Sequence, residues 1–140
     1  MDLHLEGKNV LITGGSKGIG KAIAKVFLAE GANVGIAARN LDFLNKAREE
    51  LGDSISAFQC DITIAEEREK LIRSFVEEKG SIDILVNNAG GSNGGAAIET
   101  DLELFHEAME LNYFSAVHLS KLAVEQMKKN GWVWRIEQRI

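Results

Sequence analysis

Apolar and polar residues follow two different periods along the first 90 residues of the chain. Apolar runs of strand length occur at 10–13, 33–39, 54–60 and 82–86, and longer stretches with apolar residues three or four positions apart lie between them. Strand patterns that alternate with helix patterns indicate parallel strands joined by right-handed helical crossovers. We therefore expect an α/β fold.

Two further signals predict where helices begin. A Thr followed three residues later by a Glu is typical of a capping box, in which the two side chains bond the first backbone N–H groups of a helix. Thr63 with Glu66 predicts the start of a third helix, and Thr100 with Glu103 predicts the start of one long helix over 101–130.

A glycine-rich stretch, TGGSKGIG, joins the first strand to the first helix at residues 13–20. Gly14, Gly18 and Gly20 allow the backbone to turn sharply and leave no Cβ in the way of a ligand. The free N–H groups and the positive dipole end of the following helix point to the same place. The stretch predicts a seat for nucleotide phosphates, although tight turns also use glycine for packing alone.

A second nucleotide-binding motif fits the same stretch in part. Gly15, Gly20 and Lys21 match most of the P-loop pattern G-x-x-x-x-G-K, but Ala22 stands where a Ser or Thr hydroxyl would bind magnesium. Because this hydroxyl is missing, the sequence favours a dinucleotide turn over a P-loop.

Four motifs in this chain resemble those of the short-chain dehydrogenase/reductase family. The glycine stretch fits every fixed position of the family's first turn, T-G-x-x-x-G-x-G. Asp61-Ile62 is similar to the acidic residue after the third strand, residues 87–90 to the N-N-A-G motif, and Asn112 to a helical asparagine. The resemblance covers roughly residues 5–131.

This resemblance implies a fold and a division of the chain. The fold is a doubly wound, Rossmann-type parallel sheet with strand order 3-2-1-4, which is incomplete in this chain. We expect a dinucleotide-binding domain over residues 1–131 and a divergent tail at 132–140. Trp132 and Trp134 in that tail alternate as in a short strand.

The resemblance also implies a cofactor site at the carboxyl ends of the strands, where a doubly wound sheet binds dinucleotides. Asp61 is expected to contact the adenine ring and Asn88 to be structural, while both Asn87 and Asn88 also fit a turn that merely closes a strand. The expected cofactor-binding residues are Thr13, Gly14, Ser16, Lys17, Gly18, Ile19, Gly20, Arg39, Asp61, Ile62, Asn87, Ala89 and Gly90.

The residue after the second strand predicts which cofactor is bound. Arg39 stands close to where an Asp or Glu would bind the ribose hydroxyls of NAD. Arg39 and Lys17 are cations suited to a ribose 2′-phosphate. Surface Lys and Arg are usually solvated charges without a ligand, but two of them beside one pocket favour NADP, with NAD as the alternative.

The sequence lacks most of the catalytic residues that the resemblance implies. Family enzymes use a Ser and a Tyr-x-x-x-Lys pair, whereas the single tyrosine here, Tyr113, is followed four positions later by Val117. Asn112 is the one candidate catalytic residue, and an amide cannot deliver a proton at a useful pKa. The ending, WVWRIEQRI, departs from the family pattern and fits a truncation, a frameshifted reading or an alternative end.

These observations predict an NADP-dependent oxidoreductase that transfers hydride between NADP(H) and a carbonyl or alcohol substrate, and that is inactive as this chain. The alternative is a non-catalytic NADP-binding or assembly module, with the 101–130 helix pairing in a homo-oligomer. A net charge of −5 argues against nucleic acid or an anionic membrane as partner. No apolar run approaches the ~20 residues of a membrane span, no metal site is indicated, and we expect a cytoplasmic protein.

Overall fold

The computed structural model describes residues 1–92 and 95–131, and its centre is a four-stranded parallel sheet. The predicted fold class and the strand order 3-2-1-4 are confirmed. The strands are β1 (Asn9–Thr13), β2 (Asn33–Ala38), β3 (Ser56–Gln59) and β4 (Ile84–Val86), in the order β3-β2-β1-β4.

In the described part of the chain, five α-helices accompany the sheet: α1 (Gly18–Ala29), α2 (Leu41–Leu51), α3 (Ala65–Lys79), α4 (Leu102–Met109) and α5 (Ser115–Lys129). A short 3-10 helix, Ala97–Glu99, precedes α4. Among the described residues, none of these helices has both the length and the apolar character that crossing a membrane requires.

The sheet is covered on both faces, because successive side chains of a strand point to opposite sides. Val10 and Ile12 of β1 belong to a core with β2, α1 and α2, while Leu11 belongs to a second core with β4, α3 and α5. All five residues of β1 are buried. This arrangement explains why the strands are almost continuously apolar.

Both predicted capping boxes are wrong. The N-cap of α3 is Ile64, which makes no side-chain capping bond. Thr63 instead donates its N–H and its hydroxyl to Asp61 Oδ1, at 3.0 and 2.6 Å. Likewise α4 has no side-chain cap, and the hydroxyl of Thr100 donates to the carbonyl of Ala96. Threonine hydroxyls bond readily to nearby groups in turns, and here each hydroxyl donates to such a group instead of capping the helix.

The prediction of one uninterrupted helix over 101–130 is also wrong, because a π-helical turn, Glu110–Phe114, separates α4 from α5. In this turn the N–H of Ser115 donates to the carbonyl of Glu110, five residues earlier. The apolar periodicity does not reveal one additional residue in a single turn.

The predicted tail at 132–140, with its strand stub at Trp132 and Trp134, lies outside the described residues. So do residues 93–94 in the glycine-rich loop after β4.

Candidate functional site

The carboxyl ends of the four strands meet at one edge of the sheet. In the parallel register Thr13 lies level with Ala37, and Ile12 lies level with Val86. In open sheets of this kind, ligands bind in the crevice at this edge. The segments that enter it are the glycine turn at 13–20, Arg39, Asp61-Ile62 and the loop at 87–92.

Two glycines of the turn are required for packing within the protein. A Cβ on Gly20 would lie 2.2 Å from the carbonyl oxygen of Gly14, and a Cβ on Gly14 would lie 2.9 Å from Cα of Ala89. Gly18 is different: its φ is +50°, and no described atom lies within 4 Å of the Cβ position. The turn is thus tightly packed beneath and open at Gly18.

The amino end of α1 lies at this opening. The helix begins at Gly18 after Lys17, with no side-chain capping bond and no acidic residue in its first turn. The first N–H groups of a helix lack intrahelical partners, and the helix dipole favours an anion beside them. An uncapped helix end at an open glycine fits a phosphate group.

Thr13 connects the glycine turn to the loop after β4. Its buried hydroxyl accepts hydrogen bonds from the N–H groups of Asn88 and Ala89, both at 3.1 Å, and lies 3.4 Å from the carbonyl of Val86. The side-chain amide of Asn88 donates to the carbonyl of Gly14 at 3.1 Å. Asn88 therefore has structural contacts, and direct contact of Thr13 with a cofactor stays a prediction.

Asn87 presents an unpaired acceptor at the end of β4. Its Nδ2 donates to the hydroxyl of Ser120 on α5 at 3.0 Å, whereas its buried Oδ1 has no hydrogen-bond partner among the described residues. A buried acceptor without a partner costs about 1–3 kcal/mol. Such an atom is a candidate contact for a bound group.

The exposed Asn112 ties the π turn to the loop after β4. Its Oδ1 accepts from the N–H of Gly91 at 3.0 Å, and its Nδ2 donates to the carbonyls of Gly91 and Ala108 at 2.8 and 2.9 Å. A Cβ on Gly90 would lie 2.7 Å from Oδ1. The amide is committed to these contacts, and its catalytic role stays a prediction.

Arg39 and Asp61 line one cavity of about 590 Å³ beside β3 and α3. The hydroxyl and the N–H of Thr63, together with the charge of Arg39, hold the pKa of Asp61 below its ordinary value. The carboxylate is therefore ionised at neutral pH. Ile62, next in the chain, is buried, and its carbonyl accepts a hydrogen bond from Arg68.

Lys17 lies close to the loop that carries Arg39. Its Nζ is 3.2 Å from the centroid of the Phe43 ring, a cation–π contact in the first turn of α2. Asn40, directly after Arg39, caps this helix by accepting from the N–H of Phe43 at 3.0 Å. Lys17 thus lies over the first turn of α2, while the cavity that Arg39 lines does not include Lys17.

Two residues of the glycine turn, Ser16 and Ile19, do not line the cavity beside β3. Ser16 is half-buried within the turn. The side chain of Ile19 is exposed and lies beside Leu3, Leu5 and Val26, on a different surface from the cavity beside β3. Because Ile19 lies in the first turn of α1, its backbone N–H is the group suited to the predicted contact.

The P-loop alternative fits the geometry poorly. Lys21 would have to reach a phosphate, but its Nζ lies 2.5 Å from Oε2 of Glu50 on α2. This hydrogen bond and the charge of Lys21 lower the pKa of Glu50.

Cys60 is buried at the end of β3 and is a poor nucleophile. Burial raises the pKa of its thiol to about 12, with the charges of Glu67 and Asp61 adding to the effect. Within the described part of the chain, no group of three or more His, Cys, Asp or Glu side chains is placed to hold a metal ion.

Sequence reasoning missed a buried arginine close to the site. Arg68 on α3 bonds to Glu110 of the π turn and to His118 of α5. A signal was present in the sequence, because Arg68 shares the apolar helix face of Leu71 and Phe75 at helical spacing.

Comparison with known proteins gives consistent matches over most of the chain. The profile of the short chain dehydrogenase family matches residues 8–133. The chain is 42% identical over 133 residues to 7alpha-hydroxysteroid dehydrogenase of Escherichia coli (strain K12), covering 93% of this chain and 52% of that protein. It is 35% identical to 3-oxoacyl-[acyl-carrier-protein] reductase FabG of Vibrio cholerae, covering 91% and 52%.

Two solved structures share the fold closely. The F189W actinorhodin polyketide ketoreductase with NADPH superposes with a TM-score of 0.85 at 32% identity, covering 89% of this chain and 50% of that one. A hydroxysteroid dehydrogenase from Escherichia coli gives a TM-score of 0.84 at 41% identity, covering 91% and 55%. The chain spans about half the length of the relatives it matches.

Proposed function

The chain belongs to the short chain dehydrogenase family, and from this premise we propose that residues 1–131 are the NADP-binding domain of a cytoplasmic oxidoreductase. Bound NADP(H) would supply or accept the hydride that is exchanged with a carbonyl or alcohol substrate. The remaining residues, 132–140, form a divergent tail in this proposal.

One observation carries the proposal, which is the uncapped amino end of α1 at an open glycine on the ligand-binding edge of the sheet. The glycine turn and the first N–H groups of α1 would hold the diphosphate. Arg39 and Lys17 would bind the ribose 2′-phosphate, and Asp61 and Ile62 would contact the adenine. Asn87, Ala89 and Gly90 would complete the site after β4.

The choice of NADP rests on Arg39. A guanidinium can grip a phosphate through two parallel charge-assisted hydrogen bonds. Because the side chain is exposed and salt screens the attraction, we expect NADPH to be preferred over NADH by about 1–2 kcal/mol, roughly five- to thirty-fold. Arg39→Asp should reverse the preference, since a carboxylate repels the phosphate and accepts the ribose hydroxyls of NAD.

The experiment is a set of fluorescence titrations with NADPH, NADH and ATP at low and moderate salt. Arg48→Asp is the matched control, because it makes the same charge change at an exposed position that does not line the cavity. Equal affinities for NADPH and NADH in the wild type would contradict the choice of NADP. Binding of ATP without NADPH would support the P-loop alternative.

We also propose that the isolated 140-residue chain does not turn over substrate. The chain has no Tyr-x-x-x-Lys pair to donate a proton, so cofactor binding would occur without reduction of a carbonyl. The test is NADPH consumption with a panel of ketones, aldehydes and acyl thioesters. Sustained, substrate-dependent turnover by the pure protein would refute this part of the proposal.

A second candidate function is a non-catalytic assembly module. Large apolar side chains on α4 and the π turn are exposed, which is typical of interaction surfaces. A homo-oligomer formed through α4 and the π turn, within residues 101–130, would elute as a dimer or larger in sizing chromatography, and Phe105→Glu should dissociate it. A wild type that elutes as a monomer at all concentrations would exclude this candidate. The exposed set is Leu102, Leu104, Phe105, Met109, Tyr113 and Phe114, together with Ile98 of the 3-10 helix.

A further inference from the structure

The buried Arg68 joins three separate segments of the chain. Its side chain is only 6% exposed. Nη1 donates to the carbonyl of Ile62 at 2.6 Å and to Oε1 of Glu110 at 2.8 Å, and Nε donates to Nδ1 of His118 at 2.8 Å. These partners lie in the loop after β3, in the π turn and on α5, so one guanidinium fixes their relative positions.

Apolar side chains could fill the space between α3 and α5 without burying a charged group. A buried ion pair is weak evidence for stability, because apolar residues of similar volume are often equally stable in its place. A forked group with fixed geometry, however, specifies one arrangement of its partners. Arg68 therefore contributes defined geometry more than free energy of folding.

The two ends of this network lie at two different parts of the proposed cofactor site. Ile62 follows Asp61, and the N–H of Asp61 donates to Oε2 of Glu67, the neighbour of Arg68 on α3. Glu110 begins the π turn that contains Asn112. The side chain of Asn112 hydrogen-bonds to both the N–H and the carbonyl of Gly91. Hydrogen bonds through Arg68 thus link the loop after β3 to the loop after β4.

We propose that Arg68 is a positioning residue that couples these two ends of the cofactor site. A ligand at the adenosine end fixes the Asp61-Ile62 loop. Because Arg68 bonds to both Ile62 and Glu110, it then also restricts the motion of the π turn that contains Asn112. The coupling rests on the proposed function, because it requires that a dinucleotide binds at this edge. Coupling free energies between two sites typically change an affinity by about 5- to 150-fold.

The test compares two ligands that occupy different lengths of the site. Adenosine 2′,5′-bisphosphate carries the adenosine end alone, and NADPH spans both ends. In the wild type, we expect saturating bisphosphate to slow amide hydrogen exchange at residues 110–115 by about fivefold or more. In Glu110→Ala, which removes the acceptor at the π turn but leaves Ile62 bound, the bisphosphate should bind with affinity within about twofold of the wild type while this protection disappears.

Three further variants separate coupling from general destabilisation. Glu110→Gln keeps an oxygen acceptor for Arg68 and should restore most of the protection. Arg68→Met removes all three bonds with a side chain of similar length and should abolish the protection. Glu107→Ala changes an exposed glutamate of the preceding turn and should leave it unchanged.

The outcomes distinguish this inference from the proposed function. If both ligands bind but the wild type shows no protection at 110–115, or if Arg68→Met retains it, the coupling is refuted and the cofactor site stands. If neither ligand binds to the wild type, the proposed function fails and the coupling fails with it.

Discussion

The first strand and the segment at 97–114 differ in how they are held in the structure. Every residue of β1 is buried, whereas the 3-10 helix, α4 and the π turn contain no buried residue. The second segment is connected to the rest of the protein through polar bonds, chiefly those of Asn112 to Gly91 and of Glu110 to Arg68. Its apolar side chains contribute little to the described core.

This difference teaches which part of the domain supplies stability. The opening free energy of a segment follows its buried apolar contacts, so β1 with its neighbours should unfold only globally, while 97–114 should open locally. A rigid glycine turn and a π turn that opens more easily would then face each other across the proposed cofactor site.

The largest expected contrast is between two phenylalanines. Phe75 on α3 is fully buried at 0% exposure, whereas Phe105 on α4 is 42% exposed. Phe75→Ala should lower the free energy of unfolding by about 3–5 kcal/mol, because it removes a buried ring and leaves a cavity. Phe105→Ala should cost less than about 1 kcal/mol, as expected for a largely surface position. Urea denaturation measures both, and similar losses would contradict the comparison.

The glycine turn offers the next largest effect. Gly20→Ala places a Cβ 2.2 Å from a backbone carbonyl oxygen, so the turn must shift, and we expect a loss of about 3 kcal/mol. Gly80→Ala is the matched control, because Gly80 has φ +88° but no described atom within 4 Å of the Cβ position. The control should show only backbone strain, about 1–2 kcal/mol. If Gly20→Ala is no more harmful than the control, the turn is less rigid than its packing indicates.

Thr13 tests the junction between the glycine turn and the loop after β4. Thr13→Val keeps the shape but leaves the N–H groups of Asn88 and Ala89 without their acceptor, which should cost about 2 kcal/mol. Thr13→Ser retains the hydroxyl and loses one buried methyl group, about 1 kcal/mol. Thermal unfolding of both variants gives the comparison. A serine variant that is less stable than the valine variant would show that packing, not the hydroxyl, matters here.

Thiol labelling gives the smallest effect on stability and compares the two regions chemically. Cys60 has a pKa of about 12, so its reactive thiolate is scarce at pH 8, and Leu102→Cys would add a second thiol at a position 71% exposed. Iodoacetamide followed by mass spectrometry should modify the new cysteine well before Cys60. Equal labelling rates would mean that β3 opens as readily as α4.

The same thiol predicts a pH dependence. The pKa of Cys60 is raised in the folded protein, so the protonated thiol contributes stability that is fully present below the unfolded pKa of ~8.5. This contribution is lost as the pH rises towards the folded value of about 12. In Cys60→Ala, the free energy of unfolding should decline less between those pH values, measured by urea denaturation. An identical decline in both proteins would assign the effect to other groups.

The apolar pattern predicted the parallel strands well, for a physical reason, whereas their order was implied by the family resemblance. Burial on both faces forces continuous apolar strands, and helical crossovers leave their own period between them, as around β1 and α1. Capping was mispredicted because the hydroxyls of Thr63 and Thr100 found closer acceptors in their turns. The interaction of Arg68 with Glu110 and His118 joins residues 42 and 50 positions apart, and no local pattern encodes such distances.

The π turn between α4 and α5 determines how these helices respond to insertions and deletions. Each residue advances an α-helix by about 100°, so one extra residue in a turn rotates the helix before it by that angle relative to the helix after it. Residues of α5 such as Leu119 and Ala123 keep their phase towards the sheet, while the phase of α4 is set independently. Deleting Tyr113 or Phe114 would merge the two helices into one regular α-helix. With α5 held in phase by its core residues, the deletion would rotate Asn112 by about 100° and so turn it away from Gly91.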